Sequence, residues 1–565
     1  MTADDRARLE AAETLMRAGR VGQAVQALRE LTAARPSLAA AYELLATALE
    51  TSGDRVGAES ALRAALTADP GSASSATRLA TILTARRRPA EAVRILEPFV
   101  GGPSADVRLL TAYGSVLKSL ERRDDAVEAY AMAAKAAPEI AAAQHNLAGA
   151  LGDAHRFSDS ERAMRKAFAM GQDAPESWLV LGRALLGLMR FDEADAAFRE
   201  AVRRRPSYAE AHAELAQLIW MRTEDLASAT ETMNAAMQSN TDPALCLAKA
   251  KVLEYAGDVD GAYVVLTEGL STRQYDPHLH VAAALLIMPR DAELGLQHAE
   301  KAYAAAPDLG PTAAALCQAN LAMGRADTAA AMAEALCRDW PLDQHPVTLL
   351  ATALRINGDD RYRQLYDYGR LVRTWTIETP PGWASLDAYL ADLASSLRGL
   401  QRLQAHPIGQ SLRNGAQTGQ SLARSQDPVI KAFFSAIDAP IRAYIAMLAE
   451  HNDVLGRRVT AGYRFSGAWS VLLRPGGHHV NHIHPMGWIS SAFHVELPDA
   501  VENGRQGWLK FGEPGLLTSP VLGPEHFVKP RAGDLVLFPS YMWHGTVPFG
   551  GKETRLAAAF DLLPA

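Results

Sequence analysis

From about residue 5 to about residue 345 the chain reads as a succession of amphipathic helices, with small and apolar residues on one face and charged residues on the other. Prolines punctuate it at a fixed interval. Pro36, Pro70, Pro138 and Pro206 are separated by 34, 68 and 68 residues, and Pro243 to Pro277 and Pro307 to Pro341 are again 34 apart. One spacing, Pro277 to Pro307, is 30, so unit boundaries between about 230 and 310 stay open. Beyond Pro341 the period fades, and Glu378-Thr-Pro-Pro-Gly-Trp383 cannot continue a helix. Ser385 to Leu403 and Asp427 to Ala449 return to a helical period, while Gln410 to Thr418 between them reads as a strand or a loop. From Gly462 the pattern turns to alternating, β-branched runs punctuated by Gly and Pro. Strands are predicted at Arg464–Leu473, Val480–His484, Trp488–Leu497, Gly507–Phe511, Asp534–Phe538 and Leu556–Leu562, with a turn at Gly476-Gly477.

The unit ending at Pro206 carries Trp178, Leu181, Gly182, Leu185, Ala194, Phe198 and Ala201 at regular offsets. The unit before it matches through Gly114, Ala126, Tyr130, Ala133 and Pro138, and an earlier one through Ala58, Leu62, Ala65 and Pro70. Small residues fit where two antiparallel helices approach, and proline fits where the second helix must stop. This pattern resembles the tetratricopeptide repeat. The resemblance implies a right-handed superhelix of roughly ten repeats, whose concave face would take a peptide or protein or serve as a scaffold for a homodimer.

Composition narrows the function. With 48% hydrophobic residues, 21% charged residues and a net charge of -7, the chain lacks the basic footprint of a nucleic-acid binder. Its start shows no signal-like apolar region, and no uninterrupted apolar run approaches a membrane span, so a cytoplasmic location is expected. Cys246, Cys317 and Cys337 lack CxxC spacing and read as small buried hydrophobes.

Seven of the sixteen histidines fall between His478 and His544, a concentration that calls for a chemical role. In Gly477-His-His-Val-Asn-His-Ile-His-Pro485, the i, i+2 spacing turns His482 and His484 to one side of an extended segment. A third imidazole from a distant strand would complete a facial set around one metal ion, and His544, after the strand Leu535–Phe538, is the candidate. His479 lies at odd spacing from His482 and reads as structural, as does His494 on its strand. Trp488, Trp508 and Trp543 fit either a substrate platform or the core.

The order His-x-His-Pro, Trp488-Ile-Ser-Ser-Ala-Phe-His-Val, Gly533-Asp-Leu-Val-Leu-Phe-Pro-Ser540, His544 and Arg555 resembles the double-stranded β-helix oxygenases that use Fe(II) and 2-oxoglutarate, in particular a bacterial branch fused to tetratricopeptide repeats. The resemblance implies that His482 and His544 bind iron and that Arg555 pairs with the distal carboxylate of 2-oxoglutarate, with Trp488 and Ser490 in the same cofactor region. Arginine suits that role because its guanidinium offers two parallel donors and stays charged. The usual third ligand is an acidic residue two positions after the first histidine, where this chain has His484. Three readings compete: His484 itself ligates, Glu496 supplies the carboxylate, or the site holds another metal. The first follows most directly from the i, i+2 geometry.

The expected architecture is therefore α+β and multidomain: an all-α repeat superhelix over 1–345, a connecting helix and linker over 346–383, and an oxygenase-like jelly-roll domain with flanking helices over 384–565, its β core at about 460–565. The expected function is hydroxylation of a peptide or protein with Fe(II), 2-oxoglutarate and O2. The rival reading is a non-catalytic metal-binding or sensor scaffold in which the repeats recruit a partner.

Overall fold

The computed structural model describes residues 2–102, 105–238, 242–403, 405 and 407–565. The chain divides into two compact units, Met1–Arg190 and Phe191–Ala565.

The first unit consists of antiparallel helix pairs, from Ala3–Arg17 to Pro175–Gly187. Alanine and leucine fill its core, and glycine marks the tightest approaches. A Cβ at Gly114 would lie 2.8 Å from the Tyr130 ring, so the aromatic side chain of one helix occupies space that its neighbour leaves empty.

In the second unit helix pairs of the same kind run from Phe191–Arg204 to Gln344–Asn357. The irregular proline spacing has a local cause here. Pro243 and Pro277 do not sit in the turn after a second helix, as Pro206 does, but open the first turn of the next one. The missing N–H of proline costs nothing there, and Asp242 and Asp276 immediately before them cap the helices by accepting from the N–H groups of Ala244 and of His278 and Leu279. The repeat is intact; its proline has changed place.

After Asn357 the chain builds two antiparallel sheets. The strands are β1 (Arg373–Thr376), β2 (Leu412–Gln417), β3 (Tyr463–His479), β4 (Ile489–Glu496), β5 (Leu509–Phe511), β6 (His526–Val528), β7 (Asp534–Pro539), β8 (His544–Thr546) and β9 (Arg555–Pro564). The larger sheet has the order β1-β7-β4-β9-β3-β2, and the smaller β6-β5-β8. Phe511 of the small sheet meets Phe538 of the large one at 5.1 Å between ring centroids, and helices Leu386–Gly399 and Pro428–Ala449 contribute to the same core. This is the jelly-roll arrangement with flanking helices that the periodicities predict, behind an all-helical array.

Several local expectations are corrected. Val480–His484 is not a strand; it is extended chain bound to the small sheet by paired backbone hydrogen bonds between His482 and His544 of 2.9 and 3.1 Å. Gly476-Gly477 is not a turn between strands, because β3 runs through it to His479. Gly476 adopts φ 81° there, beside a register shift against β2. Arg373–Thr376, in the expected linker, is an edge strand paired with β7. The helix Pro428–Ala449 is long and apolar enough to cross a membrane by length and composition, although Lys431, Asp438 and Arg442 interrupt its apolar run. Its apolar stripe, Ile430, Phe433, Ile437, Ile441, Tyr444 and Leu448, is buried in the core, and that burial accounts for its composition.

The repeat helices of this unit are tied to the sheets by specific bonds. Thr348 donates to the carbonyl of Tyr541 at 2.6 Å, Trp543 donates through Nε1 to Thr352 at 3.0 Å, and the Ser519 N–H donates to the Leu321 carbonyl at 3.0 Å.

Candidate metal centre

Three histidines converge between the sheets. The backbone pairing of His482 with His544 brings their rings to 4.1 Å between centroids, and His484 lies 5.1 and 5.2 Å from them. One ring nitrogen from each can be chosen so that all three lie within 4.8 Å of one another.

Their hydrogen bonds decide which nitrogens these are. Nδ1 of His482 lies 2.8 Å from the Val480 carbonyl, Nδ1 of His544 lies 2.9 Å from the Met542 carbonyl, and Nδ1 of His484 lies 2.5 Å from Oδ2 of Asp561. An oxygen acceptor at each Nδ1 requires a proton there, which leaves each Nε2 as the available lone pair. Nε2 of His482 and Nε2 of His484 are only 3.2 Å apart. Two lone pairs held this close in a buried site favour a shared cation.

For His482 and His544 the electrostatics agree. Burial, reinforced by the charge of His484, pushes His482 down to about 3. Burial with the neighbouring charges of His482 and His484 takes His544 well below its ordinary value. Both are therefore neutral and able to ligate at neutral pH. Burial would lower His484 too, but the charge and hydrogen bond of Asp561 outweigh it and raise the group.

The rings open onto a cavity of about 510 Å³, lined also by Trp469, Val471, Leu473, Ala557, Ala559, Asp561 and Arg555. Arg555 is 3% exposed. Its Nη2 donates to Nδ1 of His494 at 3.3 Å, while Nε and Nη1 have no partner among the described residues. No carboxylate pairs with it there, and burial lowers its pKa to about 10. A buried, uncompensated cation costs several kcal/mol, so the cavity is suited to an anion.

The other predicted residues fall as follows. Glu496 turns away from the rings and pairs with Arg398 at the surface, so it does not complete the triad. Ser490 stands behind the cavity and donates to Oδ1 of Asp561 at 2.7 Å. Trp488 is fully buried in the core with its Nε1 on the Leu455 carbonyl, and Trp508 bonds to the Val501 carbonyl. With Trp543 held by Thr352, all three tryptophans serve packing, and neither Trp488 nor Ser490 lines the cavity. His479 lines it despite its odd spacing, because β3 ends there and the alternation stops, and it bonds to Ser411 at 2.9 Å. His494 is buried beside Arg555 with Nε2 unpartnered.

Two cavity residues went unread in the sequence. Asp561 shares a face of β9 with Arg555, Ala557 and Ala559 through the two-residue period. Trp469 shares the inner face of β3 with Val471 and Leu473, and its ring stacks on His484 at 6.0 Å with planes 12° apart. Strand alternation alone was signal enough for both.

Comparison with known proteins bears on this geometry. Residues 467–561 match the family described as "Putative 2OG-Fe(II) oxygenase". Residues 9–73, 145–194 and 179–243 match the tetratricopeptide repeat. The chain thus carries tetratricopeptide repeats and, towards its C-terminus, a region that matches the family so described. No curated protein matches it. Among solved structures, a tetratricopeptide-repeat protein from Parabacteroides merdae is similar at 16% identity over 44% of this chain and 97% of that one, with a TM-score of 0.36. PilF from Pseudomonas aeruginosa is similar at 20% identity over 37% of this chain and 94% of that one, with a TM-score of 0.32. The matched region 467–561 contains the three converging imidazoles and the buried guanidinium, and the matching family implies Fe(II) and 2-oxoglutarate.

Proposed function

We propose that the chain is an Fe(II)- and 2-oxoglutarate-dependent dioxygenase that hydroxylates a peptide or protein segment recruited by its repeats. The observation that carries this reading is one cavity holding three converging Nε2 lone pairs and a buried guanidinium with no carboxylate partner among the described residues. That donor set suits a divalent transition metal, and the guanidinium suits the far carboxylate of a dicarboxylic acid.

When bound, iron with its co-substrate supplies conversion of 2-oxoglutarate and O2 to succinate and CO2, with one oxygen atom delivered to a substrate C–H bond as a hydroxyl. The chain does the rest. His482, His484 and His544 would hold the ion through Nε2. Arg555 fixes the length and orientation of the acid between itself and the histidines. Val471, Leu473, Ala557 and Ala559 keep water from that space, and the small alanines leave room for it.

Recruitment by the repeats has a structural argument as well. Tyr255, at the end of the repeat helix Pro243–Tyr255, lines the same cavity as the histidines, so the repeat helices and the metal centre share one cavity wall. In this reading 1–345 selects the partner, 346–383 connects, 384–565 performs the chemistry, and the location is cytoplasmic.

The test is succinate formation by the full chain with Fe(II), 2-oxoglutarate and a peptide library. Turnover should require both iron and the co-substrate and be lost in Arg555→Ala. Tight zinc or copper binding without turnover on any peptide would favour the scaffold reading.

A further inference from the structure

An acidic residue at position 484 would bring a negative charge to the ion directly; a neutral imidazole does not. The three rings, however, are not equivalent. His482 and His544 direct Nδ1 to backbone carbonyls, whereas His484 directs Nδ1 to a carboxylate, Asp561, at 2.5 Å. That carboxylate is itself anchored: Ser490 donates to its other oxygen at 2.7 Å and lies 2.9 Å from the Ser540 hydroxyl. With one oxygen on His484 and the other on Ser490, Asp561 is oriented to act through the ring. On β9 it pairs with Gly467, where β3 shifts register, so no side chain from that position crowds it. On the neighbouring strand Trp469, opposite Ala559, stacks on the same imidazole.

We propose that Asp561 is a positioning residue that returns to the metal centre, through His484, the negative charge displaced by the histidine at position 484. The carboxylate fixes the Nδ1 proton, aims Nε2 at the ion and makes that nitrogen a stronger donor. His484 and Asp561 together then act as a single anionic ligand, one ring removed. The inference rests on the metal-centre reading above.

Co(II) tests both and keeps them apart. The full chain is titrated with Co(II), following heat and the visible absorption bands, as wild type and as Asp561→Asn. Asparagine keeps the shape and an oxygen that accepts from Nδ1 but removes the charge, so a purely structural role predicts the same affinity and spectrum. The expected result is affinity about 10- to 100-fold lower with displaced cobalt bands, the unfolding profile being preserved. Unchanged affinity and bands in a folded Asp561→Asn overturn the inference while leaving the metal centre in place. A wild-type chain that does not bind Co(II) overturns the metal-centre reading and this inference with it. If Asp561→Asn does not fold, Ser490→Ala decides: freeing the carboxylate should weaken Co(II) binding and displace the bands, and identical values overturn the inference.

Discussion

Replacing Arg555 with methionine should make the ligand-free chain more stable and at the same time remove its response to 2-oxoglutarate. The guanidinium is buried, with Nε and Nη1 unpartnered among the described residues; its one bond there is to His494 at 3.3 Å. Relieving a buried uncompensated charge is worth on the order of 3 kcal/mol, the low end of the several kcal/mol per ion found after relaxation. Losing the bond to His494 takes back about 1 kcal/mol, and methionine fills much of the arginine stem with a flexible apolar chain. The net gain is about 2 kcal/mol, a rise in Tm of roughly 2–3 °C for a unit the size of Phe191–Ala565. Wild type should gain about 2.7 kcal/mol from 2-oxoglutarate at a hundredfold excess over its Kd in the presence of a divalent metal, and Arg555→Met should gain none. Scanning calorimetry of the full chain with zinc, with and without 2-oxoglutarate, measures both. A variant less stable than wild type without ligand, or one that keeps the 2-oxoglutarate shift, would refute the assignment of this cation to an incoming anion.

Gly114→Ala should destabilise the N-terminal unit by about 1–3 kcal/mol, because the new methyl meets the Tyr130 ring at 2.8 Å; chemical denaturation reads the loss. Tyr255→Ala should raise KM for a peptide substrate while leaving the Kd for 2-oxoglutarate in place, and an equal loss in both would show that the tyrosine only supports the fold. Stability should also fall in mild acid because of His298, whose Nδ1 lies 2.9 Å from Nδ1 of His280 and whose Nε2 lies 3.0 Å from the Tyr263 hydroxyl. Burial, then the charges of His280 and Lys301, lower its folded pKa to about 4. Between its ordinary 6.5 and about 4 the unfolded chain takes up a proton that the folded chain refuses. The stabilisation is thus complete above pH 6.5, declines as pH falls through that window and is worth about 3 kcal/mol at most. His298→Gln should flatten the decline in Tm between pH 6.5 and 4.

The helical array was legible because its signal is repeated: Gly114 with Tyr130, and the prolines at fixed spacing, each restate one packing rule. The departure at Pro243 and Pro277 came from a second use of proline, opening a helix behind an aspartate cap, and spacing alone does not separate the two uses. In the β domain β3, β4, β5, β7 and β9 could be read, as could the meeting of His482, His484 and His544, whereas the short strands β1, β6 and β8 could not. The i, i+2 rule gave the right pair even though the segment is not a strand, since extended chain held to β8 keeps the same alternation. The rule failed for His479, where the strand ends, and for Glu496, whose partner Arg398 comes from a helix far away in sequence. Tertiary partners of this kind leave no local periodicity. Asp561 differs, because its place on the Arg555 face of β9 follows from counting by twos.

Tyr255 has a practical consequence. Because a repeat helix forms part of the cavity wall, the two modules are not interchangeable: a β domain excised without that helix would have a breached cavity, and grafting foreign repeats onto it would alter the cavity itself.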